Sequence, residues 1–198
     1  MHQEYAVLCE EIPHPKCALN FSNPFELLVA TVLSAQTTDK RVNMVTPELF
    51  DEYPGPDALA SANPEHVESI IHSIGFHHTK AKNIIGLSYA LCERFDGEVP
   101  QNMDSLTSLP GVGRKTANVV LGNAFGMPGF PVDTHVIRVT GRLRWRSDWA
   151  SGSPDPRPLN VRSPHASRPR NGRICLTADT ARSCHMPCSQ AGLPELPA

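Results

Sequence analysis

The sequence contains no apolar run long enough to cross a bilayer, so a membrane-spanning helix is not expected. Its first residues lack the basic and apolar blocks of a secretory signal peptide, which makes a cytoplasmic protein the default expectation. Strand-like alternation of apolar and polar residues is also missing, and no internal repeat is present. With 40% hydrophobic and 19% charged residues, the chain is predicted to be globular and all-α, with one medium domain or two small ones.

An overall excess of positive charge is missing as well, because the formal net charge is −2. That value argues against a uniformly basic nucleic-acid binder. The charges are unevenly distributed, however: residues 1–108 hold six Lys/Arg against fifteen Asp/Glu, whereas residues 109–145 hold five against one. The second segment is predicted to form a local nucleic-acid-binding face, with ordinary solvated charge as an alternative of equal weight.

The most informative stretch of the chain is Leu109-Pro110-Gly111-Val112-Gly113-Arg114-Lys115-Thr116-Ala117-Asn118-Val119-Val120-Leu121, which predicts a turn followed by a helix. Gly113 is expected to adopt a backbone conformation that other residues resist. The amides of such a turn and the positive end of the following helix form a natural site for a phosphate. Lys115 lies in the first helical turn, where a partly buried amine is a candidate nucleophile. A simple phosphate contact is the alternative role for Lys115.

Two other helix ends carry candidate site residues. Residues 23–35 predict a central, buried helix, and Gln36 stands at its polar end. Gly75 ends a later helix, and Phe76 and His77 stand at the connection that follows. From the residues alone, Gln36 could be a solvated terminus and Phe76 a staple into the core. His77 and the adjacent His78 could be phosphate contacts. A metal site at this connection is not expected, because no further ligand has matching spacing.

Four separated motifs, taken in order, resemble the endonuclease III family of DNA glycosylases. They are Leu33-Ser34-Ala35-Gln36-Thr37-Thr38-Asp39; Ile74-Gly75-Phe76 with Lys80-Ala81-Lys82-Asn83-Ile84-Ile85; the stretch from Leu109 to Leu121, which resembles the family's helix-hairpin-helix; and Val132-Asp133-Thr134-His135-Val136. The similarity extends from about Pro13 to about Arg146. It implies the all-α helix-hairpin-helix glycosylase fold, with Lys115 and Asp133 as the catalytic residues.

The resemblance also implies a substrate and a set of DNA contacts. The implied enzyme is a monomeric base-excision repair glycosylase and abasic-site lyase that acts on oxidised pyrimidines in double-stranded DNA of the nucleoid. In the family, a glutamine fills the space left by the flipped nucleotide, and the residue at the position of Phe76 is a wedge in the base stack. The implied DNA-binding residues are Gly111, Val112, Gly113, Arg114, Gln36, Phe76 and His77.

Two other functions stay open at this point. A helix-hairpin-helix also occurs in non-catalytic DNA-binding proteins, and Asp133 could then be only a helix N-cap. A mismatch adenine glycosylase shares the fold, but that branch lacks a lysine at the position of Lys115. The sequence does not determine the preferred lesion or the preferred opposite base.

The pattern of the chain changes abruptly after about residue 145. Residues 146–198 contain eight Pro, seven Arg, seven Ser and no Lys, and only six of these 53 residues are Leu, Ile, Val or Phe. Such a segment is predicted to have little order, and the change favours a shift of reading frame near Trp145. The predicted organisation is an N-terminal helix and linker in 1–22, a helical domain with the hairpin in 23–130, the start of a second domain in 131–145, and the low-order tail.

The tail also bears on the family's cofactor. The second domain of the family ends in a Cys-x6-Cys-x2-Cys-x5-Cys run that holds a [4Fe–4S] cluster. This chain offers Cys175, Cys184 and Cys188, spaced x8 and x3, and a fourth ligand would have to come from elsewhere, such as His185, Cys9 or Cys17. Because a cluster normally needs four protein ligands, we expect the second domain to be incomplete and the cluster to be absent. The activity of this chain is correspondingly in doubt.

Overall fold

The computed structural model describes residues 7, 10, 11, 16–127, 131, 132, 136 and 138. Within these residues every regular element is a helix, which confirms the all-α prediction. None of these helices combines the length and the apolar character that a bilayer crossing requires. The helices are α1 (Pro24–Leu33), α2 (Asp39–Glu52), α3 (Pro56–Ala60), α4 (Pro64–Ile71), α5 (His77–Phe95), α6 (Met103–Thr107) and α7 (Arg114–Phe125).

Helix α1 is the central element, as its all-round apolar sequence predicts. Its start is fixed by Asn23, whose side chain accepts a hydrogen bond from the Glu26 amide at 2.9 Å, and by Pro24 in the first turn. The Glu26 carboxylate in turn accepts from the Ser22 amide at 2.7 Å. The residues of α1 from Leu27 to Leu33 are all buried, and α2, α5 and α7 pack around the helix.

The long helix α5 joins the peripheral helices to this centre. It packs on α3, α4 and α1, and its buried face carries Ala81, Ile84, Leu87 and Leu91. The sequence Pro54-Gly55-Pro56 is typical of a loop, yet the short helix α3 begins there. Pro56 instead occupies the first turn of α3, a position where the missing amide of proline costs nothing.

The predicted turn and helix after residue 108 are present. Asn102 caps α6 by accepting from the Ser105 amide at 2.8 Å. A turn follows, in which the Val112 amide donates to the Leu109 carbonyl at 3.2 Å, and α7 begins at Arg114. At the other end of α7, Gly126 adopts the left-handed conformation that commonly ends helices. The pair α6–α7 therefore forms a helix-hairpin-helix.

Candidate nucleic-acid interface

The hairpin turn is anchored in the core by two side chains. Leu109 and Val112 are buried members of the core, whereas Gly111 and Gly113 are exposed. Val112, predicted to contact DNA, can therefore offer only its main chain to a ligand. The turn presents backbone rather than side chains to its surroundings, which is the arrangement that binds phosphate without reading bases.

The glycine of the turn that adopts an unusual backbone conformation is Gly111, and not Gly113 as the sequence suggests. Gly113 has an extended backbone (φ −94°, ψ 173°), and an added Cβ would meet nothing within 4 Å. The prediction of an unusual backbone at Gly113 is therefore wrong, because an N-cap residue is normally extended. Gly111 needs glycine: its φ is +73°, and an added Cβ would lie 2.9 Å from Cβ and Nδ2 of Asn83 on α5.

The first turn of α7 carries Arg114 and Lys115 and contains no acidic residue. No side-chain hydrogen bond caps this helix at Gly113, and the N-terminal amides of a helix are a natural site for an anion. Both basic side chains are exposed. Among the described residues, Lys115 is therefore exposed rather than partly buried.

Asp133, the second predicted catalytic residue, lies outside the described residues. Its neighbour Val132 and the nearby Val136 are both buried. The role of Asp133 therefore stays a prediction.

Gln36 and Phe76 share an uncommon backbone conformation. Gln36 follows the end of α1 with φ +53°, and Phe76 precedes α5 with φ 60° and ψ 32°. A left-handed conformation costs a residue with a side chain roughly 1–2 kcal/mol, and such strain clusters at functional sites. Both residues are exposed, and Phe76 is 67% exposed. The alternative of a core staple at Phe76 is therefore wrong.

Lys80 is a buried charged residue that was not among the predicted site residues. Its Nζ donates to the Leu33 carbonyl and to Oγ1 of Thr37, each at 2.9 Å. Burial lowers the pKa of the Lys80 ammonium below its ordinary value. The burial of Lys80 could have been predicted from the sequence, because Lys80 is four residues before Ile84 and therefore lies on the apolar face of α5.

His77 and His78 form a small cluster with a residue of another helix. The two rings lie against each other with centroids 4.1 Å apart and planes tilted by 39°, and His78 Nδ1 lies 2.5 Å from a carboxylate oxygen of Glu68 on α4. One ligand atom from each of these three residues lies within 4.8 Å of the others, so they could hold a cation. The positive end of α5 opposes that role. The spacing of residues along the sequence could not predict Glu68 as a third ligand, because Glu68 lies on a different helix.

The described cysteines do not fit an iron–sulfur cluster, whose ligands are thiolates. Cys92 donates from Sγ to Asp57 Oδ1 at 3.1 Å, and burial followed by the Asp57 interaction raises its pKa to about 11. Cys17 is the other cysteine of the described residues, and no group of three candidate ligands there includes either thiol. Cys175, Cys184 and Cys188 lie outside the described residues.

Comparisons with known proteins agree with this geometry. The family described as HhH-GPD superfamily base excision DNA repair protein matches residues 29–157. Endonuclease III of a Synechocystis strain is 54% identical over 138 residues, covering 69% of this chain and 63% of that protein. Endonuclease III of Escherichia coli K12 is 49% identical over 138 residues, covering 70% of this chain and 65% of that protein. The chain thus spans somewhat less than two thirds of these relatives' lengths.

Solved structures give the same match. The structure of a non-covalent endonuclease III–DNA complex superposes with a TM-score of 0.71 at 45% identity, covering 77% of this chain and 71% of that one. A trapped endonuclease III–DNA covalent intermediate matches with the same values. A thermostable thymine-DNA glycosylase, at 23% identity and a TM-score of 0.66, shares the fold.

Proposed function

The chain belongs to the endonuclease III family of HhH-GPD base excision DNA repair proteins, and from that premise we propose that it is a DNA glycosylase and abasic-site lyase acting on oxidised pyrimidines. The observation that carries the proposal is the position of Lys115. It is an exposed amine in the first turn of the uncapped helix α7, directly after a turn that presents its backbone. An amine at a phosphate-binding helix end is placed to meet the sugar of a bound nucleotide.

The proposed reaction begins when a damaged nucleotide leaves the base stack. Nζ of Lys115 forms a bond to C1′ of the deoxyribose, and the bond from C1′ to the base breaks. The lysine nitrogen then loses a proton and the sugar ring opens at the C1′–O4′ bond, which leaves a Schiff base between Nζ and C1′. This Schiff base makes the C2′ proton acidic. Its removal expels the 3′ phosphate and cleaves the strand by β-elimination. Asp133 accepts a proton or stabilises positive charge on the sugar during base release.

The other site residues are proposed to hold the DNA. Gly111, Gly113 and the amides of α7 bind a phosphate next to the lesion, and Arg114 adds positive charge. Gln36 fills the space left by the extruded nucleotide, and Phe76 enters the base stack as a wedge. His77, in the first turn of α5, contacts the backbone. The substrate is double-stranded DNA of the nucleoid, bound by one copy of the protein.

Borohydride trapping tests the proposal. The full chain is mixed with a duplex that contains one abasic site, and the Schiff base is reduced to a stable covalent adduct. A protein–DNA adduct that forms only with the abasic duplex is the expected result. Binding without trapping would favour a non-catalytic helix-hairpin-helix protein over the enzyme.

The two glycines of the turn provide a matched pair of variants. Gly111→Ala is expected to lower the free energy of unfolding by about 1–3 kcal/mol, because of the left-handed backbone and the clash with Asn83. Gly113→Ala should cost less than about 1 kcal/mol, since only the N-cap preference changes. Thermal unfolding of both variants measures the difference.

Measuring the DNA affinity of Gly113→Ala then separates an effect on DNA binding from an effect on folding. A Cβ there meets no atom of the described residues within 4 Å, so weaker binding of Gly113→Ala reports the close approach of a phosphate. The loss should be equal for intact and damaged duplexes, because phosphate contacts carry no sequence information. A defect confined to damaged duplexes would contradict the proposed phosphate site.

The purified full chain is expected to be colourless. The tail supplies three cysteines at unsuitable spacing, so a cluster held there would lack one ligand. The Cys92 thiol is a poor substitute, because its raised pKa opposes ionisation. Visible absorbance and iron content, measured before and after anaerobic reconstitution with iron and sulfide, check this. A brown protein that retains stoichiometric iron would show that a fourth ligand completes the set.

A further inference from the structure

Lys80 carries a buried charge that no step of the proposed reaction uses. The residue lies in the first turn of α5 and is only 5% exposed. Its Nζ donates to the carbonyl of Leu33 and to the hydroxyl of Thr37. Because a buried ammonium without partners is very unfavourable, these two acceptors explain how the charge is tolerated but not what it does.

Both acceptors of Nζ flank Gln36. Leu33 is the last residue of α1, where free carbonyls and the negative helix end attract a cation. Thr37 follows Gln36 directly in the chain. The side chain of Lys80 therefore bridges the short segment that carries Gln36, from one side of the residue to the other.

The backbone of Lys80 contacts the second loop. Its amide donates to the carbonyl of Phe76 at 3.0 Å and closes the first turn of α5. A single residue is thus hydrogen-bonded to the segments of both Gln36 and Phe76. In the described part of the chain, the non-glycine residues with positive φ are Gln36, Phe76 and Asp96, and Lys80 holds the segments of the first two. Strained conformations persist only where their surroundings fix them.

We propose that Lys80 is a positioning residue that fixes the Gln36 and Phe76 loops as one rigid unit before DNA binds. The role in DNA recognition rests on the proposed function, because only a base-extruding enzyme needs both side chains at an opened base pair. Ordering the loops in the free protein removes a cost that would otherwise be met on binding. Lys80 touches neither the sugar nor the base.

The stability of the Lys80→Met variant distinguishes a positioning role from a purely structural one. Lys80→Met removes the desolvation cost of the ammonium but leaves the Leu33 carbonyl and the Thr37 hydroxyl without this donor. Because these two effects oppose each other, the melting temperature of Lys80→Met is expected to stay close to that of the wild type. Under a structural role, stability, intact-duplex binding and abasic-site binding would fall in parallel.

The matched control is Lys82→Met. Lys82 is an exposed lysine two residues further along α5, so its variant loses the same charge without touching either loop. Affinity is measured for an intact duplex and for a duplex with a tetrahydrofuran abasic-site analogue. Lys80→Met should bind the intact duplex like Lys82→Met, but lose about tenfold or more of its preference for the analogue, since hydrogen bonds from a charged group are broken.

Hydrogen exchange of the free protein tests the loops without DNA. Amide exchange over residues 34–37 should rise about tenfold in Lys80→Met and stay unchanged in Lys82→Met. Thr37→Val removes one acceptor and should give a smaller rise, whereas Thr37→Ser keeps the hydroxyl and should behave like the wild type. If Lys80→Met does not fold, the comparison of Thr37→Val with Thr37→Ser tests the positioning role instead.

The two readouts separate the inference from the function on which it rests. Unchanged exchange in both Lys80→Met and Thr37→Val would overturn the positioning role, as would an intact preference for the abasic analogue in Lys80→Met. A wild-type chain that shows no such preference, while exchange still rises in the variants, would refute the proposed function and leave Lys80 as the residue that orders the loops.

Discussion

Lys115→Gln is expected to abolish borohydride trapping, with a loss of at least about a thousandfold in adduct formation. Glutamine has no amine that can form a Schiff base, so no slower version of the same chemistry remains. Affinity for an abasic duplex should change by no more than about threefold, because one exposed charge is a small part of a footprint with many phosphate contacts. Trapping yield and gel-shift affinity on the same duplex measure both effects.

Arg114→Gln is the matched control for this prediction. Arg114 is exposed in the same helical turn, so its variant loses the same charge next to the same phosphate. It should weaken binding by a similar amount and keep trapping. Equal loss of trapping in both variants would assign Lys115 to phosphate binding alone, and complete loss of binding in Lys115→Gln would point the same way.

Asp133→Asn is expected to slow base release by about 10²–10⁴-fold, the usual contribution of a positioned acid or base. The substitution keeps the shape of the side chain but removes its charge and its ability to accept a proton. Binding to damaged DNA should be unchanged or tighter, since a negative charge near the phosphates is lost. Single-turnover release of an oxidised pyrimidine from a synthetic duplex gives the rate.

The same variant distinguishes catalysis from helix capping at Asp133. Asparagine is as good an N-cap as aspartate, so a residue that only caps a helix would leave both the rate and the melting temperature unchanged. Asp133→Ala supplies the contrast, because it removes the cap as well as the charge. Full activity of Asp133→Asn, with instability confined to Asp133→Ala, would remove Asp133 from the mechanism.

The order of the helices was determined by local features of the sequence. Asn23 with Pro24 marks one helix start and Pro64 another, and both Asn23 and Asn63 accept capping hydrogen bonds in the structure. Gly126 marks a helix end. Such signals act over three or four residues and therefore remain visible in a single chain. The all-α class followed from the absence of strand-like alternation, and the helix-hairpin-helix from the resemblance of the stretch Leu109 to Leu121.

The conformations within the turns were decided by packing. A Gly-x-Gly pattern shows that the chain turns, but not which glycine adopts the left-handed backbone. The choice falls on Gly111 because the side chain of Asn83, on a different helix, leaves no room for a Cβ there. Likewise, the sequence permits Phe76 in the core, and only the fold leaves it exposed before α5.

By itself, the sequence determined the family and the identity of the candidate nucleophile, since both rest on residue types in a fixed order. Only the tertiary structure brought Lys80 to Leu33 and Thr37, which are 47 and 43 residues away along the chain, and Glu68 to His78. The physical reason is that caps and helical periodicity are local, whereas hydrogen bonds between helices depend on how apolar faces pack. Lys80 can be recognised as the partner of the Gln36 and Phe76 loops only from the packed arrangement of the helices.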